Sequence, residues 1–147
     1  MEPAAQDPIP LKFELLQAAE DNPYLLRAKG EIVYHLKAVA AEHALVAAHY
    51  GHGNDFLLTT LLAVDDGQLH LDVGKDPEVN RRLLAADRIV CVTHHDKVKV
   101  QFALRRLDTV SLQGRTAFRA DLPDRMLRLQ RREYYRLVTP AARPLRC

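Results

Sequence analysis

A series of short apolar runs, separated by turn residues, occupies the middle of the chain and limits the folds it can adopt. The plainest run is VKVQFALR, residues 98–105, in which large apolar residues alternate with polar or small ones. A two-residue period is typical of a strand with one buried face. Similar runs, each predicted to be a strand, recur at residues 32–39, 44–50, 56–64, 68–73, 88–94, 98–107 and 109–119. Many short strands joined by tight turns favour an antiparallel sandwich or barrel.

Turn signals fall between several of these runs. Asp65, Asp66 and Gly67 separate two apolar runs, and an Asp-Gly step is a common hairpin turn because glycine tolerates positive φ. Two adjacent exposed carboxylates fit such a turn better than a catalytic acid and base pair. Residues 22–30 begin with Asn-Pro, and this stretch is predicted to be a link without a strand or helix.

Two segments carry helical signals. Residues 9–19 have apolar side chains at helical spacing, which predicts a short helix. Residues 76–86 begin with Asp-Pro, a suitable N-cap followed by a first-turn proline, which predicts a second helix. The polar side chains Asn80, Arg81 and Arg82 of that helix are expected to face outward.

The chain is long enough for one domain with a buried core, since it has 147 residues. Residues 1–8 are polar and proline-bearing, so they are predicted to be disordered. No apolar run approaches the roughly 18 residues of a membrane span, and the N-terminus lacks the features of a secretion signal. We therefore expect a cytoplasmic protein without membrane insertion. Cys91 and Cys147 are expected to stay reduced, with Cys91 in the core.

Catalytic and metal-ligating patterns are absent from the sequence. His94 and His95 are adjacent, so on a strand they point to opposite faces and cannot grip one ion together. His49 and His52 have no cysteine or carboxylate set at zinc spacing. Ser111, the one serine, lacks a nucleophile elbow. We therefore predict a binding protein with no catalytic residue, no metal and no cofactor.

Arginine accumulates toward the C-terminus. Residues 1–114 contain 12 lysines and arginines against 16 acidic residues, whereas residues 115–147 contain nine arginines, no lysine and three acidic residues. Arginine recognises phosphates and guanine edges with a planar, two-pronged set of donors. An anionic partner at this end is therefore predicted, and a solvated basic segment is the alternative.

The densest cluster is LQRREYYRLVTP, residues 129–140, in which Arg131, Arg132 and Arg136 flank a Glu-Tyr-Tyr tripeptide. An extended or turned chain could place these guanidinium groups around one compact dianion. Each group can fork onto a phosphate, donate to the O6 and N7 edge of guanine, or stack on a base. We expect at least one of the two tyrosines, Tyr134 and Tyr135, to anchor the segment to the barrel and not to contact a ligand.

QRREYYR followed by LVTP resembles the start of the PilZ domain in YcgR-type flagellar brake proteins, where an RxxxR motif at the interdomain junction binds cyclic di-GMP. Arg132 and Arg136 match the two arginines of the motif, and Arg131 precedes them as is common in the family. The upstream sequence from FLLTTLLAV to VKVQFAL, residues 56–104, resembles the N-terminal domain of the same proteins. The resemblance covers about residues 9–140.

This resemblance implies a mainly β fold for residues 9–128: an antiparallel split β-barrel, like the flavin-binding barrels but without flavin, with one or two short helices. Residues 129–147 would then be the interdomain linker and the start of a PilZ domain. It also implies that cyclic di-GMP binds through Arg131, Arg132 and Arg136, and that the domains then reorient. The protein would be recruited to the flagellar basal body, where it would engage stator or switch proteins and slow swimming. DNA is not an expected partner.

The sequence departs from the family pattern after the arginine cluster. The PilZ barrel should continue and carry a D/NxSxxG motif, whereas the sequence stops at Cys147. Residues 109–114, TVSLQG, are a near match, but threonine stands at the first position and the stretch precedes RxxxR. The chain alone is therefore expected to hold half of a nucleotide site and to bind cyclic di-GMP weakly or not at all.

Two other functions stay open. A single-stranded nucleic-acid-binding β-barrel would use arginines and aromatic rings, although the aromatic content is only 6%. Salt-dependent binding of random RNA would support it. A flavin-binding split-barrel oxidoreductase rests on fold analogy alone and predicts a yellow protein.

Overall fold

The computed structural model describes residues 14–17, 22–51, 55–65 and 67–130. Within these ranges the chain forms three helices and nine strands, in the order α1 (Glu14–Gln17), β1 (Leu25–Leu26), α2 (Lys29–Ala41), β2 (Leu45–His49), β3 (Phe56–Val64), β4 (Gln68–Asp72), α3 (Pro77–Ala85), β5 (Ile89–His95), β6 (Val98–Leu104), β7 (Asp108–Leu112), β8 (Arg115–Asp121) and β9 (Met126–Gln130). The predicted disorder of residues 1–8 lies outside the described residues. So does most of the predicted helix at 9–19, of which α1 is the described part.

The strands form one antiparallel sheet in the order β1-β9-β6-β5-β2-β3-β4-β8-β7. The sheet is barrel-like but open, because β1 and β7 are its two edges in the described part of the chain. The mainly β antiparallel class predicted above is confirmed. None of the described helices is long and apolar enough to cross a membrane.

The concave face of the sheet and helix α2 enclose the main core. Its largest fully buried side chains include Phe102 of β6 and Phe118 of β8. Complete burial of one such ring stabilises the fold by about 1.5–3 kcal/mol relative to leaving it exposed. Cys91 lies in the same cluster, as predicted.

Residues 32–39 are part of α2, and the strand predicted for them is wrong. The helix buries Ile32, Leu36 and Val39, which are four and three residues apart, so they form one helical stripe. The β-branched and aromatic residues of this run favour a strand locally. Packing of the stripe against the sheet stabilises the helix over the strand, because most helical stability in proteins comes from such packing.

Helix α3 confirms the second predicted helix. The Asp76 carboxylate accepts a hydrogen bond from the Glu78 N–H at 2.9 Å, and Pro77 occupies the first turn. Arg81 and Arg82 face outward as predicted, and both pair with Glu78.

Asn80 differs from its prediction, because its side chain turns inward to the loop ahead of α3. Its Oδ1 accepts a hydrogen bond from the Gly74 N–H, and its Nδ2 donates to the Gly74 carbonyl, both at 2.9 Å. Both backbone groups of Gly74 are therefore satisfied by one amide, which fixes this loop to the helix.

The C-terminal strands are more numerous than predicted. Residues 109–119 are a hairpin of β7 and β8, joined by Gln113 and Gly114 at φ 50° and 84°. Two consecutive positive φ values are typical of a type I′ hairpin turn. Strand β1 lies in the stretch predicted to be a link, and β9 runs to Gln130, past the predicted start of the linker at residue 129.

Helix α1 covers part of the convex face. Leu15 packs against Leu127 and Leu129 of β9, and its N–H donates to the Gln101 Oε1 at 2.8 Å. Gln101 belongs to the face of β6 that the alternation predicted to be open to solvent. It is only 1% exposed, because α1 lies over it.

The neighbouring part of the convex face carries exposed apolar side chains. Leu45 is 62% exposed, Leu58 is 58% exposed and Phe56 is 46% exposed. Phe56 and Leu58 stand opposite His49 and Ala47 on the paired strand β2. Leu45, Phe56 and Leu58 lie on the face of β2 and β3 that points away from the core, outside the part that α1 covers.

Candidate functional site

The predicted ligand-binding residues Arg131, Arg132 and Arg136 lie outside the described residues, as do Tyr134 and Tyr135. The structure does describe the strand that precedes them. β9 ends at Gln130, which stands opposite Val98, the first residue of β6. The sequence of the arginine cluster therefore starts at the end of the sheet that carries the turn between β5 and β6.

Strand β9 is held firmly on both sides. It pairs with β6 over five residues and with β1 over two. The Arg128 N–H donates to the Tyr24 carbonyl at 3.0 Å, just ahead of β1. Met126, Leu127 and Leu129 are buried. Consequently these contacts fix the position of the chain as far as Gln130.

The turn between β5 and β6 lies at this end of the sheet, beside the last residue of β9. Asp96 and Lys97 take positive φ values of 58° and 64°, as in a tight hairpin turn. His95, just before the turn, has its Nδ1 3.0 Å from the Glu42 Oε1 that follows α2. That nitrogen makes no hydrogen bond to the described residues, so the contact is a close approach with poor bonding geometry.

Arg128 lies near His35 of α2 at this end of the sheet. Arg128 stands opposite the core residue Val100, which places it on the α2 side of the sheet. Burial lowers the pKa of His35 below its ordinary value, and the charge of Arg128 lowers this pKa further, whereas Glu31 opposes the shift. The shift favours the neutral imidazole of His35 beside the charged guanidinium of Arg128.

The sequence analysis did not single out Arg128, which the structure places at the sheet end that leads to the arginine cluster. The available signal was its spacing, because Arg128, Arg132 and Arg136 follow one another at intervals of four residues. The sequence RMLRLQ, residues 125–130, shows no strand alternation, since apolar side chains occupy both faces of β9. The chemistry of these guanidinium groups is anion binding through forked, charge-assisted hydrogen bonds.

Groups that could carry out catalysis are restrained in the structure. Burial raises the pKa of the Cys91 thiol, which disfavours the reactive thiolate. The N–H groups of Gly67 and Gln68 bond the Asp65 carboxylate and lower its pKa, so this residue closes a turn as predicted. The described residues contain no group of three or more His, Cys, Asp or Glu side chains that could hold a metal ion.

The near match TVSLQG, residues 109–114, is a structural element. Its first four residues belong to β7, and its last two form the turn into β8. The stretch thus builds the edge hairpin of the sheet.

The family model described as flagellar regulator YcgR, PilZN domain, matches residues 24–128. The chain belongs to this PilZN family. The resemblance stated from the sequence is thereby confirmed, and it favours a regulatory protein over the nucleic-acid and flavin alternatives.

Curated relatives agree with the family assignment. A flagellar brake protein YcgR of Thauera aminoaromatica is 41% identical over 147 residues, which cover 99% of this chain and 55% of the relative. A flagellar brake protein YcgR of Azoarcus sp. (strain BH72) is 38% identical over 138 residues, which cover 92% of this chain and 53% of the relative. The chain spans about half the length of the curated relatives it matches.

Solved structures show the same fold. The YcgR-N domain of Escherichia coli YcgR matches with a TM-score of 0.69 and 20% identity, covering 74% of this chain and 97% of that one. Escherichia coli YcgR in complex with c-di-GMP matches with a TM-score of 0.72 and 21% identity, covering 78% of this chain and 50% of that one. At these identities the likeness concerns the fold alone, and it supports the barrel-like architecture.

Proposed function

We propose that this chain is the PilZN part of a flagellar brake protein that responds to cyclic di-GMP. The carrying observation is the family match over residues 24–128, which ends where β9 leads into the arginine cluster. The relatives from Thauera and Azoarcus are named flagellar brake proteins, and E. coli YcgR has been solved with c-di-GMP. No catalytic step belongs to this function.

In this proposal Arg131, Arg132 and Arg136 supply the charge that binds the two phosphates of the ligand. Forked guanidinium groups suit a compact dianion, and their hydrogen bonds strengthen where water is excluded. Arg128 adds a positive charge four residues ahead of Arg132. The curated relatives are about twice as long as this chain, which leaves room for a PilZ domain. Such a domain would cover the ligand from the other side, exclude water and order the ligand.

The fixed position of Gln130 gives this binding event a mechanical consequence. Since β9 is paired on both sides, ligand-induced reorientation turns the following domain relative to a rigid sheet. The reoriented protein then engages stator or switch proteins at the flagellar basal body and slows swimming. The names of the curated relatives support this role, together with a cytoplasmic location.

Isothermal titration calorimetry with cyclic di-GMP tests the proposal. Three proteins are compared: this chain, a fusion of this chain through Pro140 to the remaining half of the Thauera relative, and E. coli YcgR as the reference binder. The double substitution Arg132→Ala and Arg136→Ala is made in the fusion. Arg81→Ala with Arg82→Ala removes the same charge from exposed positions on α3 and is the matched control.

We expect tight binding by the fusion, weak or no binding by the chain alone, and loss of binding only in the Arg132 and Arg136 variant. The half-site idea would be refuted by submicromolar affinity of the chain alone that those two substitutions abolish. A fusion that folds but binds no cyclic di-GMP would overturn the proposed function itself. Slower swimming of cells that express the fusion, dependent on the same arginines, would extend the result to the motor.

A further inference from the structure

A groove of about 440 Å³ lies at the other end of the sheet from Gln130. Its charged rim comes from four arginines and two aspartates, and its floor is aliphatic. The arginines are Arg88 before β5, Arg105 and Arg106 after β6, and Arg125 before β9. The volume falls within the roughly 300–1,000 Å³ typical of ligand sites.

The groove is separate from the arginine cluster of the proposed nucleotide site. β9 starts beside the groove and carries the chain away from it over five residues. At about 3.3 Å per residue, this strand puts roughly 15 Å between the groove and Gln130. A ligand in the groove therefore uses other residues than Arg131, Arg132 and Arg136.

Two of the rim arginines are available for an external anion. Arg88 and Arg106 are exposed, and neither makes an ion pair or hydrogen bond with the described residues. The Arg105 guanidinium lies 3.6 Å from the Asp124 carboxylate, with side chains 89% and 84% exposed. An ion pair this open to water holds its partners weakly, so an incoming carboxylate can compete with Asp124.

The floor of the groove restricts the kind of anion. Leu104 is fully buried beneath it, and Leu16 of α1 lies 39% exposed at its side. No aromatic ring lines the groove in the described part of the chain, so bases have no stacking platform. Asp87 and Asp124 on the rim would repel a continuous phosphate backbone.

We propose that this groove binds an acidic, leucine-bearing segment of a partner protein. The lining carries four arginines against two aspartates, which suits one or two carboxylates. Arg88 and Arg106 bind the carboxylates by forked hydrogen bonds, and a leucine of the segment packs on Leu16 and the floor. This binding requires no nucleotide.

NMR titration of the ¹⁵N-labelled chain tests the assignment. The probe is the peptide acetyl-DLALD-amide, and its neutral counterpart is acetyl-NLALN-amide. We expect saturable shifts at Leu16 and Leu104 with the acidic peptide only. Arg88→Glu and Arg106→Glu should each weaken binding about fivefold or more, because reversal replaces an attraction by a repulsion.

Lys37→Glu is the matched control. Lys37 is exposed on α2 and takes no part in lining the groove, so the same change of charge should alter the affinity less than about twofold. The Arg132→Ala and Arg136→Ala pair should also leave peptide binding unchanged, which separates this result from the nucleotide experiment.

Four outcomes would overturn the assignment. They are the absence of saturable shifts at millimolar peptide, an equal response to the neutral peptide, an equal loss in Lys37→Glu, and tighter binding of a single-stranded oligonucleotide at the same amides. A dispersed spectrum for each variant shows that the substitutions leave the fold intact.

Discussion

Asn80→Ala tests whether one side chain fixes the loop between β4 and α3. The wild-type amide makes two hydrogen bonds to Gly74, each 2.9 Å long, in partly buried surroundings. A typical intramolecular hydrogen bond contributes about 0.5–1.5 kcal/mol net, and an unsatisfied backbone group adds a penalty. We therefore expect the free energy of unfolding to fall by about 2 kcal/mol.

Urea unfolding followed by far-UV circular dichroism measures this loss, since the chain has no tryptophan to report by fluorescence. An unchanged slope with a lower midpoint would assign the loss to stability. In a thermal scan, about 2 kcal/mol corresponds to roughly 6 °C for a domain of this size. Gln68→Ala is the control, because its contact with Asp121 is 3.5 Å long and exposed, and it should stay within about 0.5 kcal/mol.

Asn80→Asp separates the two bonds. Aspartate keeps an acceptor for the Gly74 N–H but directs a second oxygen at the Gly74 carbonyl, so it should not restore wild-type stability at neutral pH. Asn80→Asp with wild-type stability, or Asn80→Ala with a loss below about 0.5 kcal/mol, would refute the role of the amide. Gly74→Ala should be coupled to these changes, because a Cβ there would lie 2.7 Å from Leu57 Cδ1 and 3.2 Å from Asn80 Oδ1.

Three further predictions follow from other side chains. Asp76→Ala removes the N-cap of α3 and should lower the free energy of unfolding by about 1 kcal/mol in the same urea experiment; a change near zero would contradict the cap. In a Cys147→Ser background, Cys91 should not react with Ellman's reagent at pH 8 until urea unfolds the chain, because burial raises its thiol pKa. The imidazole of His35 should titrate below its ordinary value of 6.5 by NMR, and Arg128→Gln should raise that midpoint. Since the folded pKa is lowered, the contribution of His35 to stability is complete above pH 6.5 and declines as the pH falls toward the folded pKa; a midpoint that Arg128→Gln leaves unchanged would count against the charge effect.

The strands whose sequence alternates between apolar and polar residues were predictable, whereas two segments without that alternation were not. Alternation located β6 because Val98, Val100 and Phe102 all point to the core. In IVYHLKAV the residue types favoured a strand, although the buried positions follow a helical spacing. Weighing that spacing above the β-branched content would have identified α2.

Strand β9 escaped prediction because both of its faces are covered. Met126 faces the main core, while Leu127 and Leu129 lie under α1. A strand buried on both sides shows no alternation, so its sequence resembles any short apolar segment. Burial of Gln101 has the same cause, since α1 covers a position that the local pattern assigns to solvent.

The candidate site was predictable only in part, because the charge pattern located the arginine cluster, whereas the identity of its ligand came from the resemblance alone. The family assignment rests on residues 24–128, which fold as the resemblance implied. Arg131, Arg132 and Arg136 stay a prediction, since they lie outside the described residues. The groove of Arg88 and Arg106 could not be seen in the sequence, because strand pairing brings its rim together from β5, β6 and β9.

The position of β9 between two partners determines how load passes through the molecule. A pull on Gln130 along the strand stretches five rungs of the ladder with β6 in shear, so they must fail together and not one by one. Torque applied at the same point is carried across β6 into the tight turn at Asp96 and Lys97. The sheet therefore resists deformation at this point, and a rotation between domains would have to take place beyond residue 130.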